Sequence, residues 1–410
     1  MASPHVDFLA GAAASSPRES SRYVRSFISR PGFVRAYSRP LPHSPFLFPA
    51  STSASLASSS LDARLLSRVL ADGNQAGETL LTAPISALRT ARSVPRNISR
   101  AIGTITVQGL LAAELAMDTS EARAPWRAVF PTKKDFEESM PILWHPSLQV
   151  LLPPASRSLL EKQERKISAD WTAVSTAFPA LSFDLFRYSW LIVSTRTFYY
   201  TAPNTKTKHP VDREDCLALI PFADCFNHAD VGCEVTFSPS AYKICATRQI
   251  KTGEEIYISY GNHSNDFLLA EYGFILGENQ WDEISLDEVI LPLFSEKQKL
   301  KLEETGFLGN FTLDRARVCY RTQVALRLLC MPLNRWQRLV TRGLGDEDEH
   351  QDVANAILLK ALYAKLSHVH ERLEQGEALD CGLPSQRDTL RKRWEQILKL
   401  LTAAISRIES

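Results

Sequence analysis

A segment of alternating apolar and polar residues lies between two helical segments, and this order limits the fold more than any other feature. In residues 214–262 an apolar residue recurs at every second position, as at Val235 and Phe237. This is the period of a half-buried strand. Apolar residues recur at helical spacing from about 105 to 210 and again from about 285. The chain is therefore predicted to be α+β, with its strands grouped between helical regions.

Two apolar stripes after residue 285 predict long amphipathic helices. The first comprises Leu358, Leu362, Leu366, Val369 and Leu373. The second comprises Leu390, Trp394, Ile397, Leu398, Leu401, Ile405 and Ile408. The chain thus divides into an N-terminal segment at 1–66, a region at 67–284 that is helical at about 105–210 and strand-like at 214–262, and an all-helical region at 285–410.

Composition excludes some classes of function. The 410 residues include 47 Lys plus Arg and 46 Asp plus Glu, so no bulk charge favours nucleic acid or anionic lipid. No apolar run has the length of a membrane span. The 7 cysteines are odd in number and form no CxxC pair, which fits reduced thiols in a cytoplasmic or nuclear protein.

The N-terminal segment differs in composition from the rest. Residues 1–60 are rich in Ser, Ala, Pro and Arg, and Asp7 and Glu19 are their only acids. This composition is typical of a disordered tail. It also allows a mitochondrial transit segment, which would change the expected location from cytoplasmic or nuclear to mitochondrial.

Three polar side chains stand where apolar stretches end. Asn227 and His228 follow an apolar run, and Tyr260 ends the predicted strand 256–260 directly before Gly261. An amide and an imidazole at such an edge can bond a polar ligand, and a phenol can project into a crevice where the chain turns away. The structural alternatives are a turn-stabilising Asn, a surface His and a core tyrosine packed on its sheet.

Three further residues are candidates for a site. Arg196 follows an apolar helix within Ser-Thr-Arg-Thr-Phe, where it can pair with a carboxylate, and a solvent-facing arginine is the alternative. Tyr272 and Phe274 flank Gly273 and offer aromatic faces that can hold a cation. Packing against the sheet would explain the same aromatic residues.

These segments together resemble the SET domain, in the branch typified by Rubisco large-subunit methyltransferase. The matching segments are 219–228, 253–261, 264–274, 141–144, 190–198 and 307–311. The resemblance implies a β-rich SET domain with a helical insertion, followed by a helical domain that binds the substrate protein. It also implies S-adenosylmethionine as cofactor, and no metal.

The resemblance assigns a role to each candidate residue. Tyr260 would be the catalytic tyrosine, and Asn227, His228 and Arg196 would bind the cofactor. Tyr272 and Phe274 would line the channel for the substrate lysine. The implied function is a protein-lysine N-methyltransferase that acts on a non-histone protein such as a ribosomal or translation protein. It is expected to be a monomer and to make no direct contact with nucleic acid or membrane.

Two alternatives stay open at this point. The family normally has a glycine-rich cofactor strand near its N-terminus, yet no glycine occurs between Gly32 and Gly73, which favours a non-catalytic SET-fold binding module. Cys225, His228 and Cys233 could also suggest zinc, but they lack the CxxC spacing of a zinc knuckle, and Cys225 is predicted to be a buried small hydrophobe.

Overall fold

The structure is a computed structural model that describes residues 74–201, 216–342 and 348–410. The predicted N-terminal segment at 1–66, with its disordered and targeting interpretations, lies outside the described residues. So does the stretch in which the glycine-rich strand was sought. Within the described ranges, no helix combines the length and the apolar character that a membrane span requires.

Nine strands form three small sheets in the described ranges. They are β1 (Thr79–Pro84), β2 (Arg89–Thr90), β3 (Thr197–Tyr199), β4 (Leu217–Leu219), β5 (Asn227–Phe237), β6 (Ala241–Cys245), β7 (Tyr257–Ile258), β8 (Glu283–Ser285) and β9 (Thr312–Asp314). The sheet orders are β1-β6-β5-β7, β2-β4-β3 and β8-β9. Only the pair β5–β7 is parallel among them.

Seven α-helices precede β4 in the described residues. They are α1 (Arg96–Ile102), α2 (Val107–Ala116), α3 (Ala124–Arg127), α4 (Lys133–Ser139), α5 (Pro146–Val150), α6 (Pro154–Ala177) and α7 (Phe183–Arg196). The hydroxyl of Ser182 accepts a hydrogen bond from the Leu185 N–H at 3.3 Å and so caps the start of α7. The insertion is helical where the structure describes it.

The C-terminal region is mainly helical. Helix α8 (Asn265–Tyr272) precedes it. Its own helices are α9 (Asp287–Ile290), α10 (Glu296–Glu304), α11 (Tyr320–Cys330), α12 (Leu333–Arg342), α13 (Asp348–Glu377) and α14 (Pro384–Glu409). Leu362 and Leu401 are fully buried in α13 and α14, which confirms both predicted stripes. The antiparallel pair β8–β9 adds a small sheet that the all-helical description omitted.

One hydrophobic core joins the C-terminal helices to the helical insertion. Trp144, Leu148 and Leu160 belong to the same buried cluster as Leu390 and Trp394. The indole N–H of Trp394 also donates to the Leu151 carbonyl at 2.8 Å. Packing is therefore continuous across residue 284, and the domain boundary placed there stays a prediction.

A buried arginine links α14 to the segment around α8. The Nε of Arg393 donates to Asp266 at 2.9 Å, and its Nη1 donates to Asp282 at 2.7 Å, with the arginine side chain fully buried. Burial alone would lower the pKa of this guanidinium, but the two carboxylates outweigh burial and raise it. Arg393 therefore stays charged and holds both carboxylates in place.

Strand β7 lies against the beginning and the middle of β5. Asn227 pairs with Tyr257 and His228 with Ile258, and after an irregularity Cys233 also pairs with Ile258. Gly232 lies inside that irregularity, where an added Cβ would come within 2.6 Å of the Ile258 Cα. A glycine at 232 is thus required for β7 to approach β5 this closely.

Candidate active site

The parallel pairing of β5 and β7 brings the sequence candidates together. A short 3-10 helix at Ala223–Cys225 leads into β5, and Phe222 before it has the left-handed φ of 67°. Tyr260 was predicted to end a strand, but β7 ends at Ile258, so that prediction is wrong by two residues. The error is small because Tyr260 still follows the strand beside Asn227 and His228.

Tyr260 is held at both of its polar groups. Its hydroxyl donates to the Phe226 carbonyl at 2.8 Å, and its backbone N–H donates to Nδ1 of His228 at 3.1 Å. The side chain is 1% exposed, and this burial raises the pKa of the phenol well above its usual value. The phenol is therefore neutral, and its oxygen keeps lone pairs for another donor.

His228 is a neutral, buried partner of Tyr260. The two rings stack with centroids 4.9 Å apart. Burial lowers the pKa of the imidazole, although Asp230 acts in the opposite direction. Because Nδ1 accepts the Tyr260 N–H, the single proton of the neutral ring lies on Nε2.

Tyr272 and Phe274 complete an aromatic wall beside Tyr260. The Tyr272 ring lies 5.3 Å from that of Tyr260, and the Phe274 ring lies 6.1 Å from that of His228. Between them, Gly273 ends α8 with a φ of 78°, and a Cβ there would meet the Ser139 carbonyl oxygen at 2.7 Å. The Tyr-Gly-Phe motif thus needs its glycine to place both aromatic rings.

The side-chain amide of Asn227 makes a hydrogen bond through its nitrogen but none through its oxygen among the described residues. Its Nδ2 donates to the Glu255 carboxylate. Its Oδ1 is buried and has no hydrogen-bond partner among the residues that the structure describes. A buried acceptor of this kind costs free energy unless a donor reaches it, so the site fits a ligand that carries an N–H group.

Arg196 lies next to this cluster and is fully buried. Its Nη1 donates to the Asp224 carboxylate and to the Asp224 carbonyl, both at 2.9 Å. The Trp126 indole also donates to this carboxylate, at 3.1 Å, and the guanidinium lies over the Phe130 ring. Burial raises the pKa of Asp224, and the Arg196 guanidinium opposes that shift. Arg196 thereby fixes the segment that leads to Phe226, and a direct contact with a cofactor carboxylate stays a prediction.

With this geometry established, solved structures identify the architecture. The SET domain of LSMT bound to lysine and AdoHcy superposes with a TM-score of 0.57 at 16% identity, covering 82% of this chain and 83% of the other. Rubisco LSMT bound to AdoMet superposes with a TM-score of 0.55 at the same identity and coverage. The chain has the SET fold. This confirms the α+β fold class and the predicted resemblance to that fold.

Two sequence relatives of this SET-fold chain are ribosomal lysine methyltransferases by name. The family model described as the Ribosomal lysine N-methyltransferase 2 C-terminal domain matches residues 282–407. Ribosomal lysine N-methyltransferase 2 of Saccharomyces cerevisiae is 27% identical over 63% of this chain and 65% of its own length. Ribosomal lysine N-methyltransferase set11 of Schizosaccharomyces pombe is 32% identical over 45% and 46%. The chain thus spans less than two thirds of the length of these two relatives.

Several residues of the SET-fold site escaped sequence reasoning. The Phe226 carbonyl accepts the catalytic candidate's hydroxyl, but a backbone acceptor leaves no sequence signal. The Asp224 carboxylate accepts hydrogen bonds from the side chains of Trp126 and Arg196, which no sequence pattern indicates. Glu255 went unnoticed because its role depends on the pairing of Asn227 with Tyr257, which only the strand register reveals.

The cysteine interpretation needs one correction. Cys225 was predicted to be a buried small hydrophobe, but its side chain is exposed, as the last residue of a short 3-10 helix whose other residues are buried. The alternation of apolar neighbours around it did not reveal which way this helix faces. In the part of the chain that the structure describes, no group of three or more His, Cys, Asp or Glu side chains is placed to hold a metal ion.

The neutral state of His228 predicts a pH-dependent stability. Because its folded pKa is lowered, the unfolded imidazole takes up a proton below about pH 6.5 while the folded one stays neutral. The free energy of unfolding should therefore fall as pH drops from about 6.5 toward the folded pKa. In His228→Asn the free energy of unfolding should fall less over the same pH range. Urea unfolding between about pH 7.5 and 5 measures this, because these two limits lie on either side of the pKa of a free imidazole, about 6.5. The same change at the exposed His370 is the control, and equal slopes for both variants would contradict the assignment.

Proposed function

We propose that this chain is a protein-lysine N-methyltransferase that uses S-adenosylmethionine and modifies a non-histone protein. The observation that carries the proposal is the contact of Tyr260 with His228, next in sequence to Asn227 with its open buried acceptor, in a chain that has the SET fold. Relatives named as lysine methyltransferases support the reaction type.

The chain's own residues would bind and orient the cofactor. S-adenosylmethionine supplies a methyl group activated on a sulfonium. Asn227 would accept a hydrogen bond from it through Oδ1, and His228 would border it as a neutral ring. Arg196 would hold the Asp224–Phe226 segment and so fix the Phe226 carbonyl beside the site.

Tyr260 is suited to orienting the substrate amine and unsuited to acting as a base. Its hydroxyl proton is committed to the Phe226 carbonyl, and its raised pKa keeps the phenol neutral. The phenol oxygen can accept a hydrogen bond from the lysine amine and fix its direction of approach. Such positioning supplies a large part of the rate in a transfer between two bound groups.

The aromatic wall favours the neutral amine that the reaction needs. A lysine has an unperturbed pKa near 10.4, so in water it is almost entirely charged at pH 7. Tyr272 and Phe274 line an apolar site in which the charged form is disfavoured, and this lowers the pKa of the lysine. The amine would then lose its proton to solvent water as it enters, without a strong base at the site.

A ribosomal protein is the favoured class of substrate. The two relatives from yeasts are both named ribosomal lysine N-methyltransferases, and the matching family model covers the C-terminal region of this chain. In the proposed arrangement the C-terminal helices grip the substrate protein, and the lysine reaches Tyr260.

Transfer of labelled methyl groups tests the proposal. The purified chain is incubated with S-adenosylmethionine carrying a tritiated methyl group and with proteins extracted from ribosomes. We expect label in one or a few proteins and methyllysine after acid hydrolysis. A folded chain that labels no protein would contradict the enzymatic proposal. Calorimetric titration with S-adenosylhomocysteine then separates a non-catalytic module that binds no cofactor from an enzyme whose substrate is absent from the extract.

A further inference from the structure

Glu255 bridges two side chains at the edge of the proposed cofactor site. One carboxylate oxygen accepts from Nδ2 of Asn227, and the other accepts from the Tyr257 hydroxyl at 2.8 Å. Both donors belong to the facing pair at the start of β5 and β7. The three side chains therefore form one connected unit.

The carboxylate fixes which end of the Asn227 amide faces the site. An ionised carboxylate only accepts hydrogen bonds, so the amide must present its NH₂ group to Glu255. Oδ1 then points the opposite way, and this is the buried atom that has no partner among the described residues. If the amide rotated by half a turn, two oxygens would face each other.

Tyr257 holds the carboxylate in this position. Burial and the bond to Glu255 raise the pKa of the Tyr257 phenol to about 12, so the phenol remains a donor at neutral pH. Glu255 itself is exposed. Its side chain would sample several rotamers without the phenol and the amide to order it.

We propose that Glu255 is a positioning residue that orients the Asn227 amide so that Oδ1 accepts the α-ammonium group of the cofactor. The proposal rests on the proposed function. An ammonium is favoured over the adenine amino group because the negative charge of Glu255 lies on the other side of the same amide and attracts a cation. Asn227 thus bonds the ligand, and Glu255 acts through it.

Binding measurements on two ligands test this role without any need for turnover. S-adenosylhomocysteine carries the ammonium, and methylthioadenosine keeps the adenosine part but lacks the amino-acid part. Calorimetry is run with the wild type, Glu255→Ala and Tyr257→Phe. The matched control is Glu254→Ala, because the neighbouring Glu254 pairs with Arg248 and makes no bond to Asn227.

Glu255→Ala should bind S-adenosylhomocysteine about tenfold more weakly, which is the scale of one hydrogen bond to a charged group. Its affinity for methylthioadenosine should equal that of the wild type. Tyr257→Phe should show a smaller loss for the first ligand, and Glu254→Ala should show none. The thermal unfolding midpoint should be the same in all three variants, since both glutamates are at the surface.

Each other outcome overturns a distinct statement. Equal affinities of Glu255→Ala and wild type for S-adenosylhomocysteine would overturn the positioning role and leave the proposed function intact. An equal loss for both ligands would place the donor on the adenosine side and overturn the ammonium assignment. A wild type that binds neither ligand would overturn the proposed function and this inference with it.

Discussion

Replacing Tyr260 by phenylalanine should lower the rate of methyl transfer by at least about a hundredfold, the usual effect of removing one preorganised polar group from a reaction centre. The variant loses the oxygen that would orient the lysine amine, and the ring keeps its stacking on His228. Affinity for S-adenosylhomocysteine should stay within about twofold, well under the tenfold that one strong contact supplies. Single-turnover transfer of labelled methyl groups measures the rate, and calorimetry measures the affinity.

Tyr242→Phe is the matched control for this experiment. Tyr242 is another buried tyrosine of the β-rich region, but its ring packs on Phe198 and is not among the aromatic contacts of the site. It should transfer methyl groups at nearly the wild-type rate. A Tyr260→Phe protein as active as this control would contradict the assigned role, and a parallel loss of ligand affinity would show a binding defect instead.

Arg393→Met should be the most destabilising single change among those considered, costing about 3–5 kcal/mol in the free energy of unfolding. The change removes the charge that faces Asp266 and Asp282 and leaves two carboxylates buried without their cation. Desolvated anions of this kind are expensive, whereas methionine fills a similar volume. Urea unfolding followed by tryptophan fluorescence measures the effect.

Arg391→Met on the same helix is the control. Arg391 pairs with Asp388 and Glu395 at the surface, where ion pairs contribute about 0–1 kcal/mol. Adding Asp266→Asn and Asp282→Asn to Arg393→Met should recover part of the lost stability, because no buried charge then remains unpaired. A loss for Arg393→Met no larger than that of the control would contradict the structural role of the buried cluster.

Periodic elements of this fold are predictable from the sequence, and very short ones are not. The stripes containing Leu362 and Leu401 extend over several helical turns, so the buried face of each helix is marked by an apolar residue on every turn. Strands β7, β8 and β9 have only two or three residues, so an alternating sequence pattern cannot fix the residue at which such a strand ends. Tyr260 was consequently assigned to a strand that ends before it.

Site residues within a local sequence motif were predictable, and those whose role depends on a partner distant in sequence were not. Tyr260 and His228 were found because a local motif surrounds each of them, and the structure places their rings in contact. Glu255 was missed because its partner comes from a strand that is distant in sequence. The partner of Arg196 was missed for another reason: a motif indicates that an arginine is required, but not whether it faces a ligand or a buried aspartate.

Gly232 shows how a position can govern chemistry that it never touches. Even one methyl group there would collide with the backbone of Ile258 and push that strand outward, carrying Tyr260 with it. A substitution at Gly232 would therefore look harmless if it were judged only by its distance from a bound ligand. Backbone clearance between neighbouring strands is the better criterion at this position.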